Sequence, residues 1–143
     1  MSNHLARRIF AGFLLASMMI PAAGCGDTLR QSIEGVVTLD GRPLAEGSIQ
    51  LLPREGTRGP SAGALIKDGR FSIDASKGAF AGTFRVEITA MRQGKQVRID
   101  PETGGKYLLN EQYLPARYNT KSELTADIKE GQPNKLEFAL VSK

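Results

Sequence analysis

From Ser32 onward the chain alternates apolar and polar positions with a period of two, and turn-forming pairs interrupt the alternation at short intervals. Successive side chains of a strand point to opposite faces, so this period marks strands with one face against a core. Ile33-Glu34-Gly35-Val36-Val37-Thr38-Leu39 is β-branched and apolar and runs into Asp40-Gly41, a pair that tolerates positive φ and links hairpin strands. A second strand is expected from Gly47 to Leu52. Pro53 to Gly63 then reads as a surface loop, with three Gly, two Pro and no periodicity. Ala64-Leu65-Ile66-Lys67, Asp68-Gly69 and Arg70-Phe71-Ser72-Ile73-Asp74 repeat the strand, turn, strand device. Phe84 to Ala90 alternates most cleanly: Phe84, Val86, Ile88 and Ala90 face inward, Arg85, Glu87 and Thr89 outward. Leu124 to Ile128 and Leu136 to Val141 close the chain around a turn at Glu130-Gly131-Gln132-Pro133-Asn134. Seven strand candidates and no amphipathic helix after Cys25 predict an all-β domain over residues 32–143, built as a two-sheet antiparallel sandwich.

Between the fifth and sixth of these strands lies a stretch without the alternation. Arg92 to Thr120 reads as a long polar connection, and it carries all three tyrosines, Tyr107, Tyr113 and Tyr118. Loops beyond about 12 to 15 residues with no secondary structure of their own are usually functional or disordered. Gln93 to Lys106 has the composition of a mobile excursion. Tyr107 and Tyr113 are the candidate binding residues, because an amphipathic aromatic offers broad apolar area with a polar tip. Tyr118, following Leu114-Pro115, reads instead as a pin holding the crossover to the sandwich.

The first 25 residues have a different pattern. Arg7-Arg8 precede an uncharged, largely apolar run from Ile9 to Ile20, which gives way to Pro21-Ala22-Ala23-Gly24-Cys25. A positive region, an apolar region and a small-residue site make an export signal. Twelve residues of helix rise only about 18 Å against a hydrocarbon core of about 30 Å, which disfavours a permanent membrane span. Residues 1–24 are therefore expected to be removed and residues 25–31 to form a short tether. Six tether residues, Gly26 to Gln31, reach about 20 Å when fully extended.

Composition narrows the chemistry. Of 19 Lys and Arg, Arg7 and Arg8 fall in the expected signal, leaving 17 against 15 Asp and Glu. Such a small surplus, spread along the chain, does not make a nucleic-acid surface. The single cysteine excludes an internal disulfide, so the domain must be held by its core. The only histidine, His4, also lies in the expected signal. Without it the mature chain has no Ser-His-Asp or Cys-His arrangement and no histidine ligand for zinc. No calcium-loop spacing occurs, and neither a cofactor nor a metal is expected.

Two stretches resemble known families. Ala23-Gly24-Cys25 is similar to the lipobox of bacterial lipoproteins, which implies a diacylglyceryl group on Cys25 and a membrane as the first partner; two or three acyl chains would make that attachment stable. Arg7-Arg8-Ile9-Phe10 also partly resembles a twin-arginine signal, leaving the export route open. Gly35-Val36-Val37, Asp40-Gly41-x-Pro43-Leu44, Gly47-x-Ile49, Asp68-Gly69-Arg70-Phe71 and Gly82-Thr83-Phe84-Arg85-Val86 resemble the carboxypeptidase regulatory-like, transthyretin-like β-sandwich family, as it occurs in small lipoproteins of planctomycete-type bacteria. The resemblance implies a seven-stranded Greek-key sandwich in which Asp40, Gly41, Asp68 and Gly69 are structural turns. Hydrolases of that fold rely on histidines and a C-terminal Tyr-Arg-Gly-Ser motif, whereas this chain ends in Leu140-Val141-Ser142-Lys143. The expected function is that of a non-catalytic structural or protein-interaction module at the cell envelope; a carrier or sensor for a small ligand or carbohydrate is the alternative.

Overall fold

Each of the seven stretches with period two folds as a strand, and three further strands join them. The computed structural model describes residues 29–143; the expected signal peptide and Cys25 lie outside the described residues. The strands are β1 (Ile33–Leu39), β2 (Arg42–Pro43), β3 (Glu46–Pro53), β4 (Ala62–Lys67), β5 (Arg70–Ile73), β6 (Gly82–Thr89), β7 (Met91–Ile99), β8 (Lys106–Gln112), β9 (Thr125–Ile128) and β10 (Asn134–Leu140). Short 3-10 turns occupy Ala75–Lys77 and Ala116–Tyr118. The described chain is all-β and sandwich-like.

Two layers, β10-β1-β5 with β2 added against β1 and β4-β3-β6-β9, are joined only at the Lys67–Arg70 pair, so that the path is continuous and curls over a single core. One detail of the expected architecture is corrected, since the sheet is not wholly antiparallel: β10 lies parallel to β1, with Ile33 opposite Asn134 and Leu39 opposite Leu140. The cause is the curl. From β1 through β5, β4, β3 and β6 to β9 every neighbour reverses direction. The short turn between β9 and β10 reverses the chain once more, which gives β10 the direction of β1. Buried Asn134 organises that turn, accepting from the Lys129 N–H at 2.8 Å and donating to the Lys129 and Gln132 carbonyls.

The core is the inner face of the curl. Ile33 and Val37 from β1, Ile49 and Leu51 from β3, Ile66 from β4, Ile73 from β5, Leu140 from β10, and Phe84, Val86 and Ile88 from β6 are almost wholly removed from water. The expected facing of β6 is observed, with Ile49 opposite Ile88 and Leu51 opposite Val86. Gly35 leaves a gap in β1 that Phe71, its cross-strand partner, fills; a Cβ there would stand 2.6 Å from the Phe71 ring.

Both Asp-Gly pairs adopt positive φ at both residues, 50° and 77° at Asp40-Gly41 and 49° and 74° at Asp68-Gly69, as mirror-image hairpin turns require. Asp68-Gly69 joins β4 to β5. Asp40-Gly41 does not link the first strand to the second long one, as expected: it leads only into two-residue β2, and β3 pairs with β4 and β6 on the far side of the turn. Buried Leu44 directs that departure. Its N–H donates to the Val37 carbonyl and its carbonyl accepts from the Gly69 N–H, stitching the two turns together.

Candidate functional site

The long connection expected over Arg92 to Thr120 is mostly a two-stranded antiparallel ribbon, β7 against β8, separate from the main sheet. Gln93 to Lys106, read as a mobile excursion, forms most of β7 and the ribbon tip. Met91 pairs with Gln112, Gln93 with Asn110, Val97 with Leu108 and Ile99 with Lys106. Between Gln93 and Val97 three residues, Gly94, Lys95 and Gln96, face Leu109 alone, which makes a bulge. Of the β7 residues only Gly94 is buried, and β8 has none. Neither face touches the core, so selection for alternation is missing; the bulge further disrupts what pattern there is.

Directly opposed residues share a face, so the ribbon sorts its side chains. One face carries Val97, Ile99 and Leu108, of which Ile99 is 64% exposed and Val97 56%. The other carries the Arg98 and Tyr107 pair and the Arg92 and Glu111 pair. Arg92 Nε lies 2.8 Å from Glu111 Oε1, an exposed ion pair that contributes little to stability. At the tip Asp100 accepts from the N–H groups of Glu102 at 2.8 Å and Thr103 at 3.1 Å. The Glu102 N–H foremost holds the Asp100 carboxyl below the ordinary carboxylate range.

The three tyrosines occupy three environments. Tyr107 is 47% exposed near the ribbon tip. Tyr113, the other candidate binding residue, lies at the base, partly buried against the core, with the Arg92 guanidinium 5.6 Å from its ring centroid. The length of β8 separates the two, so they do not form one cluster. Tyr118 is buried, and its Oη accepts from the Val141 N–H at 3.0 Å while Arg117 stacks over its ring. It pins the crossover, as expected from sequence.

The ribbon and the first described residues, Leu29 to Gln31, lie at opposite poles of the domain. Gln31 bridges Ala79, just before β6 begins, and Ile33 lies beside Ile73 and Asn134. The ribbon continues from the other end of β6, where Thr89 faces Ser48; its first residues lie beside Glu46, Lys67 and Asp68. Eight strand residues at about 3.3 Å each put roughly 25 Å between these poles.

Elsewhere, an open groove of about 580 Å³ crosses the strands β10, β1, β5 and β4; Val36 and Leu65 are among its apolar residues, and Lys67, Arg70, Lys135 and Glu137 among its charged ones. Among the described residues no three His, Cys, Asp or Glu side chains gather into a metal-holding group. No helix among them is long and apolar enough to cross a membrane.

No protein-family model matches the chain. No curated protein matches it either. Among solved structures it is similar to a 9R-lipoxygenase from Cyanothece PCC8801, at 15% identity and a TM-score of 0.39, over 80% of this chain and 16% of the lipoxygenase. A likeness that slight bears on neither activity nor ligand.

Proposed function

We propose that this chain is a cell-envelope lipoprotein, exported, acylated at Cys25 and displaying a non-catalytic β-sandwich of the carboxypeptidase regulatory-like, transthyretin-like kind as a structural or protein-interaction module. The observation that carries the reading is the polarity of the domain: the first described residues lie at one pole, and an arm with exposed Val97, Ile99 and Tyr107 stands at the other. A lipid at Cys25 holds the first pole to a membrane and turns the arm toward whatever lies beyond it. The run β1-β5-β4-β3 in the sheet, three successive antiparallel strands with β1 beside the last of them rather than the first, supports the Greek-key assignment. Single apolar side chains at a surface are ordinary, but a ribbon with no face on its own core has no packing reason for them.

Two arms of one experiment test the reading. Cys25→Ser is expected to move the protein from the membrane to the soluble fraction of the envelope. Replacing Gln93–Asn110 by Asn-Gly, which closes the ribbon between paired Arg92 and Glu111, is expected to leave the melting temperature nearly unchanged and to abolish capture of envelope partners. Membrane retention of Cys25→Ser after carbonate washing overturns the anchor. Unaltered capture by the trimmed chain moves the binding surface to the main sheet.

A further inference from the structure

Sheet edges are templates for another strand, and proteins shield them with short length, charge, bulges or covering segments. The edges of this molecule are not shielded alike. β9 has only four residues, with Asp127 among them. β10 carries Lys135 and Glu137 along its outer side, and its end is covered where Arg117 and Tyr118 bond Val141. β7 is broken by the Gly94–Gln96 bulge and carries Arg92, Lys95 and Arg98. β8 has no bulge and no covering segment, and charge does not reach its middle. It is seven residues long without Gly or Pro, its charges sit near its ends at Lys106 and Glu111, and its middle is Tyr107-Leu108-Leu109-Asn110. Among the described residues it pairs with β7 alone.

We propose that the free edge of β8 pairs with β8 of a second copy of this chain, antiparallel, about a two-fold axis at Leu109. This rests on the reading of the ribbon as an interaction surface and names its partner. The backbone sets the register. A Cβ on Gly94 would meet the Leu109 carbonyl oxygen at 2.7 Å, so that carbonyl is turned toward β7. In an antiparallel ladder bonding direction alternates, so Leu108 and Asn110 present their N–H and C=O groups to the free side. A two-fold axis at Leu109 places Leu108 opposite Asn110 of the other copy, where both backbone bonds form, and uses every residue from Lys106 to Gln112. Leu109 then meets itself as a closely spaced pair without ladder bonds.

The side chains agree with that register. Tyr107 falls opposite Glu111 of the other copy, whose carboxylate already binds Arg92, so the phenol O–H has an acceptor in reach. Lys106 falls opposite Gln112, and no like charges face each other. On the other face the two Leu108 side chains are diagonal neighbours, joining each Val97–Leu108 pair into one apolar strip across the seam. The result is a four-stranded sheet, β7-β8-β8-β7, with an isologous interface.

Sedimentation and oxidative cross-linking of the full chain bearing Cys25→Ser, in which an introduced thiol is the only one, test the pairing. The parent is expected to show a concentration-dependent dimer. Leu109→Cys is expected to form a disulfide-linked dimer readily, because a closely spaced pair on the axis meets disulfide geometry, while Glu111→Cys, far from its own symmetry mate, cross-links at least tenfold more slowly. Leu108→Lys with Asn110→Lys, which sets like charges opposite each other, is expected to give a monomer with an unchanged melting temperature. A parent that stays monomeric at high concentration overturns the pairing, even if it still captures an envelope protein through the ribbon. Equal cross-linking at 109 and 111, or a dimer that survives the double lysine change, overturns it as well.

Discussion

β6 and β7 follow one another with only Ala90 between them, yet they are strands of opposite kinds. In β6 every second residue is buried: Phe84, Val86 and Ile88 are inaccessible to water, and the residues between them remain partly exposed. In β7 the exposed state runs through the whole strand apart from Gly94. Both are held in backbone ladders, β6 on two sides by β3 and β9 and β7 on one side by β8, so a lack of pairing does not explain the exposure of β7. The difference is what lies beneath them. Hydrophobic alternation therefore records a core on one side of a strand rather than the strand itself, and a ribbon that leaves the core also leaves the pattern.

The sharpest way to break this contrast is to remove one apolar side chain from each region. Phe84→Ala empties a site with no access to solvent and is expected to cost about 3 to 5 kcal/mol in urea unfolding. Leu108→Ala removes a partly exposed side chain and is expected to change stability by no more than about 0.5 kcal/mol, measured on the monomer. A comparable loss at Leu108 would mean that the ribbon belongs to the folding core.

Glycines with positive φ sharpen the contrast at the level of the backbone. Gly69 has φ +74°, and a side chain there would stand 2.7 Å from Pro43 Cβ and 3.0 Å from the Val37 carbonyl. Gly69→Val is therefore expected to lose more than the roughly 1 to 3 kcal/mol of a strained residue, because the contact adds to the strain. Gly104 in the ribbon tip has nearly the same φ, +69°, with nothing within 4 Å. Gly104→Val strains only a segment that opens without the core, so the main melting transition is expected to stay within about a degree of wild type. Equal shifts at the two positions would show that one cooperative unit includes the ribbon.

How much the sequence reveals follows the same division. The bounds of β1, the facing of β6 and the Asp68-Gly69 hairpin are legible, because each is a local consequence of burial or of positive φ. The parallel pairing of β10 with β1 is not, since it arises from closing the curl, which no window of residues contains. For the candidate site the outcome is mixed. Tyr118 reads correctly as a pin because Leu114-Pro115 dock beside it, whereas Tyr107 and Tyr113, close in sequence, are set apart by a strand that carried no alternation. A local signal for the ribbon did exist: Val97-Arg98-Ile99, then Asp100-Pro101 and Gly104-Gly105, then Tyr107-Leu108-Leu109 is strand, turn and strand. The polar residues around it, Arg92 to Gln96 and Asn110 to Gln112, mask that signal.

The smallest effect expected is one of acidity, and it again sets the core against the ribbon. The Asp40 carboxylate accepts from the Ser142 N–H at 3.0 Å, and chiefly this bond holds its carboxyl below the ordinary carboxylate range. A carboxyl depressed in the folded state favours folding above its unfolded value, near pH 3.9, and loses that contribution as pH falls through the folded value. Asp100 at the ribbon tip is depressed in the same way by the Glu102 and Thr103 N–H groups. Only Asp40, however, ties a turn of the main sheet to the segment after β10. Asparagine keeps an acceptor oxygen and tolerates the positive φ of position 40, so Asp40→Asn removes the proton linkage without breaking the turn. Melting wild type and Asp40→Asn from about pH 6 to about pH 2 is expected to show their difference drifting steadily against wild type as acid is added, by a small amount because the carboxylate is solvated. Asp100→Asn is expected to track wild type throughout, since protons bound in an independently opening ribbon do not enter the main transition. A pH-dependent difference for Asp100→Asn as large as that for Asp40→Asn would couple the ribbon tip to the core and remove the distinction between the two regions.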